Sequence, residues 1–176
     1  MSIVSGWVGS SSVTETSQRW VSAAGAAVRV GTPFSMSNLV GKSVVDFTMT
    51  PARSSYTVTQ GMIKGMTTTV NFSGFAVAAG SIQNVVSNVA SVKAAGTLSG
   101  SLFGCEIRHF YQVSNNQKLF LGLVNGPAQN FNLSLNGTVF SFVQHANTGG
   151  VRTYAATTTT NWFYNQTGVL FSVTKG

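Results

Sequence analysis

One segment of the sequence, residues 129–144, specifies a β-hairpin together with its register. Asn136 and Gly137 are the preferred pair for a two-residue type I′ turn, because both positions of that turn require a positive φ angle. The turn fixes the facing pairs on one side of the hairpin, which are Leu135–Thr138, Leu133–Phe140 and Phe131–Phe142. That side is largely apolar, so we expect it to face the core, while the Asn/Ser side stays exposed or meets a partner.

The rest of the chain repeats this type of pattern. Turn residues separate short Val-, Thr- and Phe-rich segments at intervals of about 8 to 12 residues, which predicts roughly eight to ten strands. A second hairpin around residues 115–116 predicts three facing pairs, which are Tyr111–Phe120, Phe110–Leu121 and Ile107–Val124. We therefore predict an all-β, single-domain antiparallel β-sandwich or barrel, and within that class we favour a single jelly roll.

Residues 82–95 are the one segment that allows a short helix. Their valines follow helical spacing, and Gly96 stands where a C-terminal cap would. The same valines are β-branched, which weakens the helical alternative. A helix and a strand followed by a loop both stay open for this segment, and we expect at most one short helix in the protein.

The 176 residues favour one folded domain preceded by an arm. Residues 1–18 are rich in Ser, Thr and Gly and are expected to form an extended N-terminal arm, with Trp7 as an anchor on a neighbouring copy. Residues 19–176 are expected to form the β-barrel domain.

Charged side chains are scarce: they make up 7% of the chain, against about a quarter in ordinary proteins. Such a surface suits a protein that packs against copies of itself or against other partners. The formal net charge is +7, which attracts nucleic acid or anionic membranes. The basic residues are scattered, and we name four as candidate anion contacts, which are Arg19, Arg29, Arg108 and Lys118.

The sequence offers little for catalysis or metal binding. Glu106 and His109 are three residues apart on one predicted strand and should point to opposite faces. Cys105 and His109 would share a face at about 13 Å, too far for a thiolate–imidazole pair. We therefore expect no enzyme, no catalytic residues, no metal, no cofactor and no small-molecule substrate. A single cysteine also excludes an intrachain disulfide.

Three consecutive aromatic residues, Trp162, Phe163 and Tyr164, allow two interpretations. They could form a platform for a sugar or a membrane interface. We favour the alternative in which they plug one end of the barrel core, because aromatic residues dominate ordinary cores.

The sequence suggests no signal peptide and no apolar stretch of the roughly 18 residues that a membrane helix requires. Synthesis in a host cytoplasm and a location in the virion follow as expectations. In composition and size the whole chain resembles small capsid subunits of non-enveloped viruses and bacteriophages, although no motif carries that resemblance.

The resemblance implies a virion structural protein, a capsid or coat subunit that self-assembles into homo-oligomers and meets other virion proteins. Contact with genome nucleic acid or an internal membrane stays open. The residues expected at subunit contacts are Trp7, Asn130, Asn132, Ser141 and Val143. Two alternatives remain, of which the first is a phage decoration, receptor-binding or carbohydrate-binding module. The second is a cationic β-pore-forming toxin.

Overall fold

The computed structural model describes residues 45–59, 66–77 and 88–176. These ranges hold eleven β-strands, one 3₁₀ turn at Tyr164–Gln166 and no α-helix. The strands are β1 (Phe47–Thr50), β2 (Ala52–Thr59), β3 (Thr67–Ala76), β4 (Val89–Val92), β5 (Thr97–Gly100), β6 (Ile107–Val113), β7 (Lys118–Val124), β8 (Phe131–Leu135), β9 (Thr138–Thr148), β10 (Val151–Thr157) and β11 (Phe171–Lys175). The predicted arm of residues 1–18, and its boundary with the barrel domain, lie outside the described residues.

The strands hydrogen-bond in the order β4-β2-β3-β6-β7-β10-β9-β8-β11-β1-β5, and every pairing is antiparallel. Strand β9 joins the two halves of this order. Its first residues pair with β8, and its residues from Val143 onward pair with β10, with a register shift inside this second ladder. A strand that bends at a bulge is a common way for a chain to pass from one sheet layer to the other.

Contacts between distant strands show that the two halves face each other. The ring of Phe110 on β6 lies 6.2 Å from that of Phe47 on β1 and 5.8 Å from that of Phe142 on β9. Strands β1 and β6 are far apart in the hydrogen-bonded order, so this contact crosses the space between two layers. The predicted all-β antiparallel sandwich is therefore confirmed.

Apolar side chains lie on both faces of the central strands. Phe110 and Leu121 belong to the main core between the layers, together with Leu133, Phe142 and Phe171. Tyr111 and Phe120, their neighbours in sequence, belong to a second buried cluster. Because successive strand residues point to opposite faces, this second cluster lies on the other side of β6 and β7. Both faces of this hairpin are therefore apolar.

The hairpin of β8 and β9 has the predicted register, with Phe131 opposite Phe142 and Leu133 opposite Phe140. Asn136 and Gly137 have φ angles of 47° and 90°, the positive values that a type I′ turn needs. The apolar side of the hairpin contributes to the main core, and the opposite side is mostly exposed.

The second hairpin departs from its prediction at one end. Tyr111–Phe120 and Phe110–Leu121 face each other as expected. A bulge between Ile107 and His109 shifts the register, so Ile107 faces Leu123 and the predicted pairing with Val124 is wrong. One extra residue in a bulged strand moves every pair beyond it by one position.

The helical alternative for residues 82–95 is corrected where the structure describes them. Val89–Val92 form β4, which pairs with β2 through Tyr56 and Val92. Residues 82–87 lie outside the described residues. The β-branched valines fit a pleated strand beside β2, and this pairing outweighs the helical spacing.

Hairpins make up much of the connectivity between the described strands. Four pairs of consecutive strands are neighbours in the sheet order, which are β2–β3, β6–β7, β8–β9 and β9–β10.

Within the described ranges, no helix is long and apolar enough to span a membrane.

Candidate functional site

A polar cleft of about 490 Å³ lies beside the edge of the layer that ends in β4. It is lined by residues of β2 and β3, by the residue after β4 and by the 3₁₀ turn. These residues are Arg53, Ser54, Ser55, Asn71, Lys93 and Tyr164. We call it the Arg53 cleft.

Strand pairing brings its lining together. Ser55 on β2 lies opposite Asn71 on β3. The backbone N–H of Lys93 donates to the carbonyl of Ser55 at 3.2 Å, and the hydroxyl of Ser54 donates to the carbonyl of Lys93 at 3.1 Å. These hydrogen bonds hold the end of the edge strand β4 against β2. They keep Lys93 beside Ser54 and Ser55 at the rim of the cleft.

Arg53 joins this rim to the 3₁₀ turn. Its Nη2 donates to the carbonyl of Tyr164 at 3.3 Å, and its guanidinium carbon lies 5.2 Å from the centre of the Tyr164 ring. The second contact has the geometry of a cation–π interaction. Both contacts orient the guanidinium group and the ring at one side of the cleft.

Two buried polar side chains hold the backbone of Phe163, the residue just before the 3₁₀ turn, from the interior of the sandwich. The hydroxyl of Ser73 on β3 donates to the carbonyl of Phe163 at 3.1 Å. The side-chain oxygen of Gln112 on β6 accepts from the backbone N–H of Phe163 at 2.9 Å. Ser73, Gln112 and Phe163 are all fully buried, so the segment that carries Tyr164 is anchored in the sandwich.

The Arg53 cleft has the chemistry of a site for an anionic polar ligand. Two cationic side chains line it, and its described lining includes no carboxylate. Guanidinium groups bind carboxylate and phosphate in pairs of hydrogen bonds, and the hydroxyls and the amide add neutral partners. The Tyr164 ring offers a flat apolar surface with a polar edge.

The predicted aromatic cluster divides between core and cleft. Phe163 is fully buried in the main core. The ring of Trp162 packs 4.8 Å from Phe140 and 5.4 Å from Phe171, so these two residues match the favoured core-plug interpretation. Only Tyr164 lines the Arg53 cleft. Phe163 is therefore removed from the candidate ligand-binding aromatic residues, because no part of its side chain is accessible.

The predicted subunit-contact residues that the structure describes belong to the β8–β9 hairpin or its flank. Asn132, Ser141 and Val143 are exposed there, and Val139 joins them with 58% of its surface exposed. Asn130 precedes β8, and its side-chain oxygen accepts from the backbone N–H of Gln144 at 3.1 Å. Trp7 lies outside the described residues.

Two of the four predicted anion contacts, Arg108 and Lys118, are described by the structure, and neither lines the Arg53 cleft. The Nε of Arg108 lies 3.2 Å from a carboxylate oxygen of Glu106. Lys118 is exposed at the start of β7 and does not line the Arg53 cleft. Arg19 and Arg29 lie outside the described residues. The described part of the chain has no group of three His, Cys, Asp or Glu side chains that could hold a metal ion.

Sequence reasoning missed Arg53 and Lys93 as site residues. Each is a single basic residue in a polar segment, and nothing near either of them marks a ligand contact. The scarcity of acidic residues was a usable signal, because it leaves most basic side chains without an acidic partner. The sequence did not reveal that the β2–β4 pairing places these two side chains beside one cleft.

Residues 1–40 match the family model described as the phage tail fibre adhesin Gp38 N-terminal domain. No solved structure matches the chain. The matched segment is a minority of the 176 residues and ends before β1. It supports a phage virion protein, and it favours the receptor-binding alternative over a capsid subunit.

Proposed function

We propose that this protein is part of a bacteriophage tail fibre and binds a receptor on the host cell through its β-sandwich. The observation that carries the proposal is the match of residues 1–40 to the N-terminal domain of a phage tail fibre adhesin. A location in the virion follows from it, and the partners are other fibre proteins and a molecule of the host surface.

The β-sandwich is our candidate for the receptor-binding part. The family match ends at residue 40 and the first strand begins at Phe47. The two segments therefore do not overlap, and the sandwich is available for a different task. Binding residues are commonly placed at the rims and connections of a rigid scaffold, and the Arg53 cleft occupies such a rim.

The Arg53 cleft favours an acidic saccharide as the receptor group. Arg53 and Lys93 provide positive charge for a carboxylate or phosphate, and the Tyr164 ring can stack on the apolar face of a sugar. Its volume of about 490 Å³ lies within the usual range of small-ligand sites. We propose binding without catalysis, since none of the described residues that line the cleft is an acidic residue, a histidine or a cysteine.

The test is binding of the full-length protein to an array of bacterial surface saccharides that includes acidic and neutral members. We expect acidic members to bind, and we expect Lys93→Gln and Arg53→Gln to weaken binding by about tenfold each, the value of one charged hydrogen bond. Tyr164→Ala should weaken it further, through loss of the stacking surface.

Lys175→Gln is the matched control, because it removes the same charge from a strand position that does not line the cleft. It should bind like the wild type. Equal losses in Lys175→Gln and Lys93→Gln would show that net charge, and not the cleft, attracts the saccharide. Absence of binding to every acidic saccharide would contradict the proposal.

A second candidate function is a self-assembling virion subunit, which the outer side of the β8–β9 hairpin favours. Its exposed residues are uncharged, and Val139 and Val143 are 58% and 49% exposed. Interface cores are depleted of charge in the same way. Light scattering and electron microscopy of the purified protein would test it, since a capsid subunit should form ordered particles and a fibre protein should not.

A further inference from the structure

A second cleft, of about 400 Å³, lies where the connection after β7 meets the turn between β9 and β10. It is lined by Asn125, Gly126, Asn147, Gly149, Gly150 and Arg152. The backbone N–H of Asn125 donates to the carbonyl of Gly150 at 2.7 Å and ties the two connections together. This contact gives the cleft a fixed wall. We call it the Arg152 cleft.

Arg152 brings a positive charge to this cleft, and no acidic partner for it is seen among the residues that the structure describes. Its Nε and Nη1 atoms are buried and make no hydrogen bond within the described part of the protein. The lining that the described ranges supply contains no acidic residue, and the carboxylate of Glu106 is already within 3.2 Å of Arg108. Buried donors on a charged group are costly when they are left unpaired, because they have lost their hydration.

The surroundings of Arg152 are shaped by close contacts. A side chain at Gly126 would meet the Tyr154 hydroxyl at 2.7 Å, so only glycine lets the backbone pass there. That hydroxyl donates to the carbonyl of Pro127. Burial raises the pKa of Tyr154, and the positive charge of Arg152 acts in the opposite direction. The guanidinium group is therefore close enough to influence the phenol electrostatically.

We propose that the Arg152 cleft binds a phosphate or carboxylate group of a small polar molecule. The guanidinium group would supply a pair of charge-assisted hydrogen bonds to the oxyanion. The side-chain amides of Asn125 and Asn147 would supply further neutral donors. The volume exceeds that of an oxyanion alone, so a larger polar molecule carrying the anion fits the site. The proposal does not depend on the fibre function, because it uses neither residues 1–40 nor the Arg53 cleft.

The test is calorimetric titration of the full-length protein with sodium phosphate, sodium acetate and glucose 1-phosphate, each against sodium chloride of matched ionic strength. We expect a saturable signal with phosphate or acetate. Arg152→Gln should weaken it by at least about tenfold, as expected for a charged hydrogen bond. Lys175→Gln removes the same charge at an exposed position that does not line the cleft, and it should leave the signal unchanged.

Comparison of the probes identifies the source of the anion. Tighter binding of glucose 1-phosphate than of inorganic phosphate would assign the group to a saccharide, and equal binding would assign the free ion. No binding of any probe beyond that of chloride, or equal binding by wild type and Arg152→Gln, would overturn the proposal.

Asn147→Asp gives a second test if Arg152→Gln fails to fold. Asn147 is exposed and lines the cleft, so the new carboxylate can meet the guanidinium group without disturbing the core. It should abolish phosphate binding and slow the protein's unfolding in denaturant. Undiminished phosphate binding by a folded Asn147→Asp variant would contradict the site.

Discussion

Asn136, in the turn of the β8–β9 hairpin, forms two hydrogen bonds with the backbone of Ser172. The backbone N–H of Asn136 donates to the carbonyl of Ser172 at 3.2 Å, and its side-chain oxygen accepts from the N–H of Ser172 at 2.8 Å. Its side-chain nitrogen also donates to the carbonyl of Leu170 at 3.0 Å. One residue thus forms the hairpin turn and holds the start of β11.

Replacing Asn136 with glycine should separate these two tasks. Glycine keeps the positive φ that the turn needs, while the two side-chain hydrogen bonds to Leu170 and Ser172 are lost. We expect the free energy of unfolding to fall by about 1 to 3 kcal/mol in urea denaturation. Asn88→Gly is the matched control. Asn88 also has positive φ, at 63°, and its side chain makes no hydrogen bond within the described ranges. A loss in the control equal to that in Asn136→Gly would contradict the bridging role.

Ser141→Lys tests whether the outer side of the β8–β9 hairpin is an interface. Ser141 is exposed, so the free energy of unfolding should change by no more than about 0.5 kcal/mol. A charge on this uncharged side should reduce self-association, which light scattering measures. Phe142→Ala, one position further along β9, removes a fully buried ring and should cost about 3 to 5 kcal/mol. Unchanged association in a folded Ser141→Lys variant would exclude this side as the contact.

Gly122→Ala should destabilise the protein because the ring of His109 covers Gly122. The two residues face each other on β7 and β6, and an added Cβ would meet ring atoms of His109. We expect a loss of about 1 to 3 kcal/mol, the usual cost of overpacking. The same change in a His109→Ala background should cost much less, which a double-mutant cycle by urea denaturation would measure. Additive losses would show that the contact is not the cause.

Tyr111→Phe should make the protein less sensitive to alkaline pH. Burial raises the pKa of Tyr111 well above 10.0, the value for an exposed tyrosine. The folded state therefore disfavours the phenolate, and the stability present below about pH 10 is lost as the pH rises toward the folded-state pKa. The variant should lose less stability than the wild type between pH 8 and pH 11 in urea denaturation.

The same variant should be neutral or more stable at pH 8, by up to about 1 kcal/mol, since its lost hydroxyl has no hydrogen-bond partner within the described ranges. Tyr154→Phe provides the contrast, because that hydroxyl does bond, to the carbonyl of Pro127. It should lose stability at pH 8. Equal alkaline losses in Tyr111→Phe and wild type would place the sensitivity in other groups.

The parts of the fold that could be predicted are those fixed by local chemistry. The Asn136–Gly137 turn determines the register of its own hairpin, so the facing pairs followed directly. The bulge at Ile107 and the strand at Val89–Val92 depend on which strand lies alongside, and a single sequence does not contain that information. The two clefts were missed for the same reason. Arg53 and Lys93 line one cleft only because β2 pairs with β4. The Arg152 cleft likewise depends on the contact between the connection after β7 and the turn between β9 and β10.

Strand β9 has a consequence for how the protein bears mechanical load. A single continuous strand is hydrogen-bonded to β8 in one layer and to β10 in the other. Tension applied to either layer therefore passes along the backbone of β9 into the other layer. Separation of the layers requires the hydrogen bonds of β9 to β8 or to β10 to break. We expect the sandwich to yield as one piece under force, at a single rupture event.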